Sequence, residues 1–192
     1  MKHITEQSIS AERQKMKDVT GYVFDNCDVD SSEYTKSCFI GVQFHKGSLD
    51  KASFKNCDAS GVMFKDTLIR KCVVESSKLM GATCTGVKFQ ECTFTGATMQ
   101  MSKFTRCKFE KCAFIDTDLT ESFFDQCTFK DCVFPQSKLV HLSVNATPLE
   151  GCDFRGSEVR GWQLMQIDCL KGALFDPDHG AELALLLGVR FE

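Results

Sequence analysis

Residues 102–134 read SKFTRCKFEKCAFIDTDLTESFFDQCTFKDCVF, and a large apolar side chain recurs there at every fifth position: Phe104, Phe109, Phe114, Leu119, Phe124, Phe129 and Phe134. Two residues before each stands a small one, Ser102, Cys107, Cys112, Thr117, Ser122, Cys127 and Cys132. A period of five suits neither regular element. On an α-helix five residues turn the side chain through about 500°, which smears the marked positions round the axis. On a plain strand an odd step reverses the face. The chain keeps every fifth side chain inside only by bending once per step and wrapping round its own marked residues, which is the signature of a stacked solenoid.

Outward from that stretch the register runs from Phe24 to Leu174, 31 consecutive steps with an apolar residue at each, a run too long for chance. It takes in 14 of the 17 phenylalanines, so the core is expected on this row, at Phe89, Phe94, Phe104, Phe109, Phe114, Phe124, Phe129, Phe134 and Phe154 above all. A longer period sets the number of sides. Cys72, Cys92, Cys112, Cys132 and Cys152 recur every 20 residues, as do Gly21, Gly41, Gly61 and Gly81, which implies four sides of five residues per coil. Those glycines stand two residues after a large apolar one, where a tight corner tolerant of positive φ is needed. At about 4.8 Å per coil, roughly eight coils give an all-β rod on the order of 35–40 Å long.

Length and composition narrow the function. A chain of 192 residues and 21.5 kDa is expected to form one domain. A net charge of −3, with Lys and Arg scattered among Asp and Glu, argues against direct nucleic-acid binding, which needs clustered cations. The start Met1–Glu6 lacks an apolar signal segment and no run of about 18 apolar residues exists, so a soluble cytoplasmic protein without a membrane span is expected. In a reducing setting the 12 cysteines are expected as small buried hydrophobes, neither disulfides nor a metal site. Their closest pairs, Cys107 with Cys112 and Cys127 with Cys132, lie across a corner from each other and not at the short spacing zinc favours. His3, His45, His141 and His179 stand near no nucleophile at a recognisable spacing, and no phosphate loop or hydrolase motif occurs. A rod with a filled interior offers no deep pocket, so no enzyme activity, cofactor or metal is expected.

Segments such as Ala52-Ser53-Phe54-Lys55-Asn56, Cys107-Lys108-Phe109-Glu110-Lys111, Thr117-Asp118-Leu119-Thr120-Glu121 and Cys152-Asp153-Phe154-Arg155-Gly156 resemble the pentapeptide-repeat family, loosely A-D/N-L/F-X-X, over about residues 20 to 175. The resemblance implies a right-handed quadrilateral β-helix. It is greatest to the Qnr-type and Mfp-type proteins and the microcin and albicidin immunity proteins. They imply a non-catalytic rod that binds DNA gyrase or topoisomerase IV as a mimic of duplex DNA, and confers resistance to quinolones or immunity to other poisons. They also imply a homodimer joined through a carboxy-terminal helix.

Three segments follow: an amino-terminal cap over 1–18, the β-helix over 19–175, and a helical tail over 176–192 for dimerisation or capping. In the tail Asp176 suits a helix cap, Pro177 the first turn and Gly188 the end. Leu183, Leu186 and Leu187 make an apolar stripe to which Val189 and Phe191 add. A solenoid needs its last coil covered, so the stripe reads as a lid on a monomer or, following the resemblance, as the dimer interface. Asp116, Asp118, Glu121 and Asp125 form an acidic group round neighbouring corners, and Asp25, Asp28, Asp30 and Glu33 another near the amino end; either suits a positively charged DNA-binding groove. Ile40, Met80, Met101, Ile115 and Val140 read as an exposed apolar patch for a different protein partner, the mark of an interaction scaffold. Between 142 and 149 a Leu in the small row and Pro148 beside a core position predict a bulged coil or small loop.

Overall fold

Each step of five is a three-residue strand followed by a two-residue corner. The computed structural model describes residues 2–10, 13–15, 17–186 and 188–189. Lys103–Thr105, Lys108–Glu110 and Ala113–Ile115 are successive strands on three sides of one coil. The fourth side is held mainly by single-residue bridges such as Thr98 to Asp118 and Asp118 to Lys138. Pairing is parallel with a shift of 20 residues, so Phe104 lies against Phe124 and Phe109 against Phe129. The sides are numbered one to four in chain order, with Phe104 on side one; sides one, two and three are sheets of nine, seven and six strands.

The corners explain why the chain tolerates so many bends. From Phe24 to Val159 the second residue after each large one has a positive φ, for example +53° at Arg106 and Lys111 and +49° at Asp116. This conformation costs an L-residue roughly 1–2 kcal/mol, and no residue other than glycine that adopts it here is β-branched. Gly21, Gly41, Gly61 and Gly81 all follow side four, where the turn closes on itself: Tyr22 N–H donates to Val19 O at 3.0 Å and Val42 N–H to Phe39 O at 3.1 Å. A hydrogen-bonded turn with positive φ at its third residue is the one that favours glycine most. Elsewhere corner amides bond to the next coil, as Arg106 N–H does to Asp125 O at 2.8 Å, so the backbone stays paired as burial requires.

Inside, the large row stacks. On side three Phe94, Phe114, Phe134, Phe154 and Phe175 follow one another at centroid spacings of 4.9, 4.8, 4.7 and 5.1 Å, which is the strand spacing carried into the rings. All nine phenylalanines expected in the core are buried. The small row does more than leave room. Cys72 Sγ donates to Leu49 O and Arg70 O at 3.4 Å each, Ser77 Oγ to Glu75 O at 2.9 Å, and Thr117 Oγ1 to Phe94 O and Ile115 O at 3.2 Å each. Cys, Ser and Thr recur there because each is small and each donates to strand carbonyls beside the corner.

The structure departs from the sequence reading at four places. Residues 3–10 and 13–15 are not outside the repeat. Their strands His3–Thr5, Ser8–Ser10 and Arg13–Lys15 pair in register with the next coil, Ile4 on Phe24 and Ile9 on Val29, so they begin the same helix. Within residues 142–149 no bulge or loop reaches Ser143–Asn145, which pairs on both sides, whereas 146–149 around Pro148 lie in no strand and the side-two ladder stops at Thr128–Lys130. There the two rows exchange volume: as the large row shrinks from Phe124 to Val144, the small row grows from Ser122 to Leu142 and Trp162, all buried. At the carboxy end the register overruns. A 3-10 turn at Ile167–Leu170 takes up one extra residue, after which Phe154 stacks on Phe175, and Leu174 is left 49% exposed. Lastly, the interior is not filled throughout. An apolar hollow of about 60 Å3 lies between Phe39 and Phe104, where Ala59 and Cys84 stand in the large row in place of bulkier residues.

Candidate partner-binding surface

Side chains at the strand ends and at the first residue of each corner mostly point outward, so function on this rod is a question of which residues share a side. Asp116, Asp118, Glu121 and Asp125 follow one coil. Asp116 is exposed at the corner between sides three and four, Asp118 is half-buried on side four, Glu121 is exposed at the next corner, and Asp125 is half-buried on side one. They therefore wrap half the perimeter at one level and do not stack along the axis. Asp118 Oδ1 accepts from Thr120 N–H at 3.0 Å and Oδ2 from Gln100 Nε2 at 2.8 Å. Partial burial opposes ionisation of Asp118, but these bonds and nearby Lys138 hold its carboxyl below the usual carboxylate range. Asp125 Oδ1 accepts from Asn145 Nδ2 at 2.6 Å.

The other acidic group, Asp25, Asp28, Asp30 and Glu33, also follows one coil, and only Asp30 pairs with an acidic residue of the next coil, Asp50. Asp28, Asp30 and Asp50 lie on side two of neighbouring coils, Asp30 directly beside Asp50, with Asp25 and Glu33 on the adjoining sides. One coil further on, the same side changes sign. Arg70 pairs with Asp50 through two hydrogen bonds of 2.9 and 2.7 Å, and the Arg70 bond chiefly holds Asp50 below its usual range. Beyond Arg70, side two and its corner carry Lys71, Lys88, Lys108, Lys111 and Lys130, with Glu91, Glu110 and Asp131 among them. Gln90 donates to Glu110 at 3.1 Å, and that bond, with Lys130, Lys88 and Lys111 around it, keeps Glu110 low against its desolvation. This basic belt escapes a linear reading, in which the same cations look scattered. Placing them by their position modulo 20 brings them together.

Exposed apolar residues lie on side three, at Val73 and Val133, at the carboxy end, and along one edge. Ile40, Met63, Met80 and Met101 flank the corner between sides four and one, with Met101 54% exposed. Ile115 is half-buried on side three, away from them, and Val140, read as exposed, is buried at 8% and is removed from the patch.

In the tail a 3-10 turn at Pro177–His179 leads into α1 (Gly180–Leu186). Asp176 does not cap it with its side chain; Oδ2 instead accepts from Gly156 N–H of the coil below, tying the tail to the rod. Gly188 ends the helix as expected, at φ +78° with Val189 N–H donating to Ala184 O at 3.0 Å. Leu186 packs on the core beside Phe175, and Leu183 is half-buried. Leu185 and Val189 are 55% and 45% exposed; Leu187 and Phe191 lie outside the described residues. Leu185, Val189 and Leu174 leave the carboxy end apolar after the last coil is covered.

Burial keeps several thiols of the cysteine ladder protonated at neutral pH, whereas the hydrogen bond with Cys127 holds Cys107 below the usual thiol range. Burial pushes the Cys72 thiol up to about 12 and raises Cys84 and Cys152 as well, and a protonated thiol is neither nucleophile nor metal ligand. Among the described residues no group of three His, Cys, Asp or Glu is placed to hold a metal, and no helix is long and apolar enough to cross a membrane.

Comparison with known proteins agrees with this geometry. Two family models match, a pentapeptide repeat region over residues 102–176 and a nine-copy pentapeptide repeat over 79–122, together just over half the chain. No curated protein matches significantly. Among solved structures, two trypsin-treated forms of QnrB1, a plasmid-mediated fluoroquinolone resistance protein, align over the whole of this chain. One gives 18% identity and a TM-score of 0.63 over 100% of its own length, the other 19% and 0.65 over 98%. At that identity the likeness speaks for the fold alone. The five-residue register, the four-sided parallel stack and the two matching models together make the chain a member of the pentapeptide-repeat family.

Proposed function

We propose that this protein is a non-catalytic decoy that binds a type II topoisomerase, DNA gyrase or topoisomerase IV, in the cytoplasm and relieves its poisoning by quinolones or like-acting toxins. The observation that carries the reading is the form of the molecule: a stiff rod with outward side chains repeated at the strand spacing, of the fold that the fluoroquinolone resistance protein QnrB1 shares. The basic belt on side two is repelled by a cationic DNA-binding groove, so the contact falls on the half-perimeter bearing Asp116, Asp118, Glu121 and Asp125. The tail joins two such rods through Leu183, Leu185 and Val189, which extends the decoy without a second domain.

The test is DNA supercoiling by gyrase, and relaxation by topoisomerase IV, with a fluoroquinolone and increasing amounts of the protein. Rescue is expected, and the variant combining Asp116→Asn, Asp118→Asn, Glu121→Gln and Asp125→Asn should lose it while still melting cooperatively. A protein that neither rescues nor inhibits either enzyme ends the reading. A second reading, an interaction scaffold for an unrelated protein, is favoured by the uncharged edge of Ile40, Met63, Met80 and Met101. There the partner would be apolar, and its binding would resist salt.

A further inference from the structure

The hollow inside the rod is unevenly distributed, and the sequence says why. From Phe89 to Phe134 the large row is mostly phenylalanine, whereas earlier coils carry Val29, Leu49, Ala59, Ile69, Val74 and Cys84 at equivalent positions. Besides the cavity between Phe39 and Phe104, a second hollow of about 210 Å3 opens at the amino-terminal end, walled by Ile4, Ile9, Val19, Phe24 and Val29. Phe39, Phe44, Leu49 and Phe54 line both, so the two lie end to end along the axis. The deeper one is walled almost wholly by apolar side chains. Polar groups gather at the rim of the outer one: Lys2, Lys17, Asp18 and Tyr22. Asp18 is already engaged, since its Oδ1 accepts from Thr20 N–H at 2.9 Å and from the Thr20 hydroxyl at 2.7 Å. The Lys2 ammonium is held over the Tyr22 ring, 5.3 Å from its centroid.

We propose that this axial hollow is a binding site for one unbranched aliphatic chain ending in a carboxylate, which enters tail first and leaves its head group at Lys2. An apolar cavity of about 150 Å3 stays dry and accepts benzene; the deeper hollow shares that apolar lining, and the outer one adds polar groups only at its rim. The long, narrow shape selects a linear tail over a ring system. The cation at the rim selects an anionic head.

The experiment is titration of the full chain with hexanoate, octanoate, decanoate, dodecanoate and decanol, read by calorimetry and native mass spectrometry. One equivalent should bind, and affinity should rise about fourfold per added methylene until the tail reaches the closed end, then level off. Lys2→Gln should weaken decanoate about tenfold and leave decanol unchanged. Val29→Phe fills the outer hollow and should abolish binding of both while the protein still melts cooperatively. Ala59→Leu, which fills the deeper hollow, should move the plateau to a shorter chain; it carries the test alone if Val29→Phe does not fold. No saturable binding at millimolar ligand, several equivalents without a plateau, or unchanged binding by Ala59→Leu overturns the proposal. So does co-sedimentation of the protein with phosphatidylglycerol vesicles in place of free-acid binding, which would assign the rim to a lipid surface.

Discussion

Phe109 shows what one position on the large row contributes. It is buried, stacked on Phe89 at 4.8 Å and on Phe129 at 4.6 Å, and edge-on to Phe104. Phe109→Ala removes a full ring from a column that has no loop to collapse, so urea denaturation should show a loss of about 3–5 kcal/mol. Phe123 is an equally large aromatic one residue off the row, on the outer side of its strand. Phe123→Ala should cost about 1 kcal/mol or less, and equal losses at the two sites would refute inward selection by the five-residue register. Cysteine gives the complementary test. Of the 12 thiols Cys38 alone is not buried, lying 3.1 Å from Thr20 Oγ1, and the other 11 are shielded from solvent. A thiol reagent at neutral pH should therefore find one fast site in the native protein and all 12 after unfolding; fast reaction of several would mean that the small row is open to solvent.

At the scale of coils and tail, what could be read in advance depended on whether position or geometry decided the matter. The inward row was legible because a strand and its corner together consume five residues, so every fifth side chain returns to the axis whatever its neighbours are. The first coil was hidden because Gln14 occupies a large-row position, and one polar residue is enough to break a pattern recognised by hydrophobicity. The last coil misled in the opposite way: Leu174 and Phe175 are both apolar, and only the extra residue absorbed near Ile167–Leu170 decides which one faces in. The candidate site was legible as a set of charges but not as a surface, since Asp116 and Asp125 are close in sequence yet look out on different sides. The tail divides between the two roles its sequence left open, with Leu186 on the core and Leu185 facing out. If the outward half joins two copies, light scattering of the intact chain should give twice the monomer mass at micromolar concentration. Leu185→Glu with Val189→Glu should then halve it without changing the circular dichroism. A monomeric wild-type protein would assign the whole tail to covering the end.

Taken as a whole, the rod is a one-dimensional object whose stability is a sum over coils and the contacts between neighbours, so unequal packing along the axis must appear as unequal stability. The coils from Phe89 to Phe134 carry aromatic stacks on sides one, two and three, whereas in those from Phe24 to Cys84, which enclose the hollow, side two holds Val29, Leu49 and Ile69 and the other columns change to Cys84, Val74 or Ala59. Unfilled volume costs about 24 cal/mol per Å3 in a core that cannot collapse, and parallel pairing on every side prevents one coil from shrinking alone. Native-state hydrogen exchange should therefore show the amides of residues 23–65 opening at lower free energy than those of 103–130. Trp162, the single tryptophan, is buried against Phe154 and Phe175 at the better-packed end. Its fluorescence should change at higher denaturant than the circular dichroism of the whole chain, which falls as soon as the amino-terminal coils open. Ala59→Leu should bring the two transitions together by supplying the missing volume. Coincident transitions in the wild-type protein, with uniform exchange along the rod, would mean that contacts between coils dominate and that the hollow has no local energetic consequence.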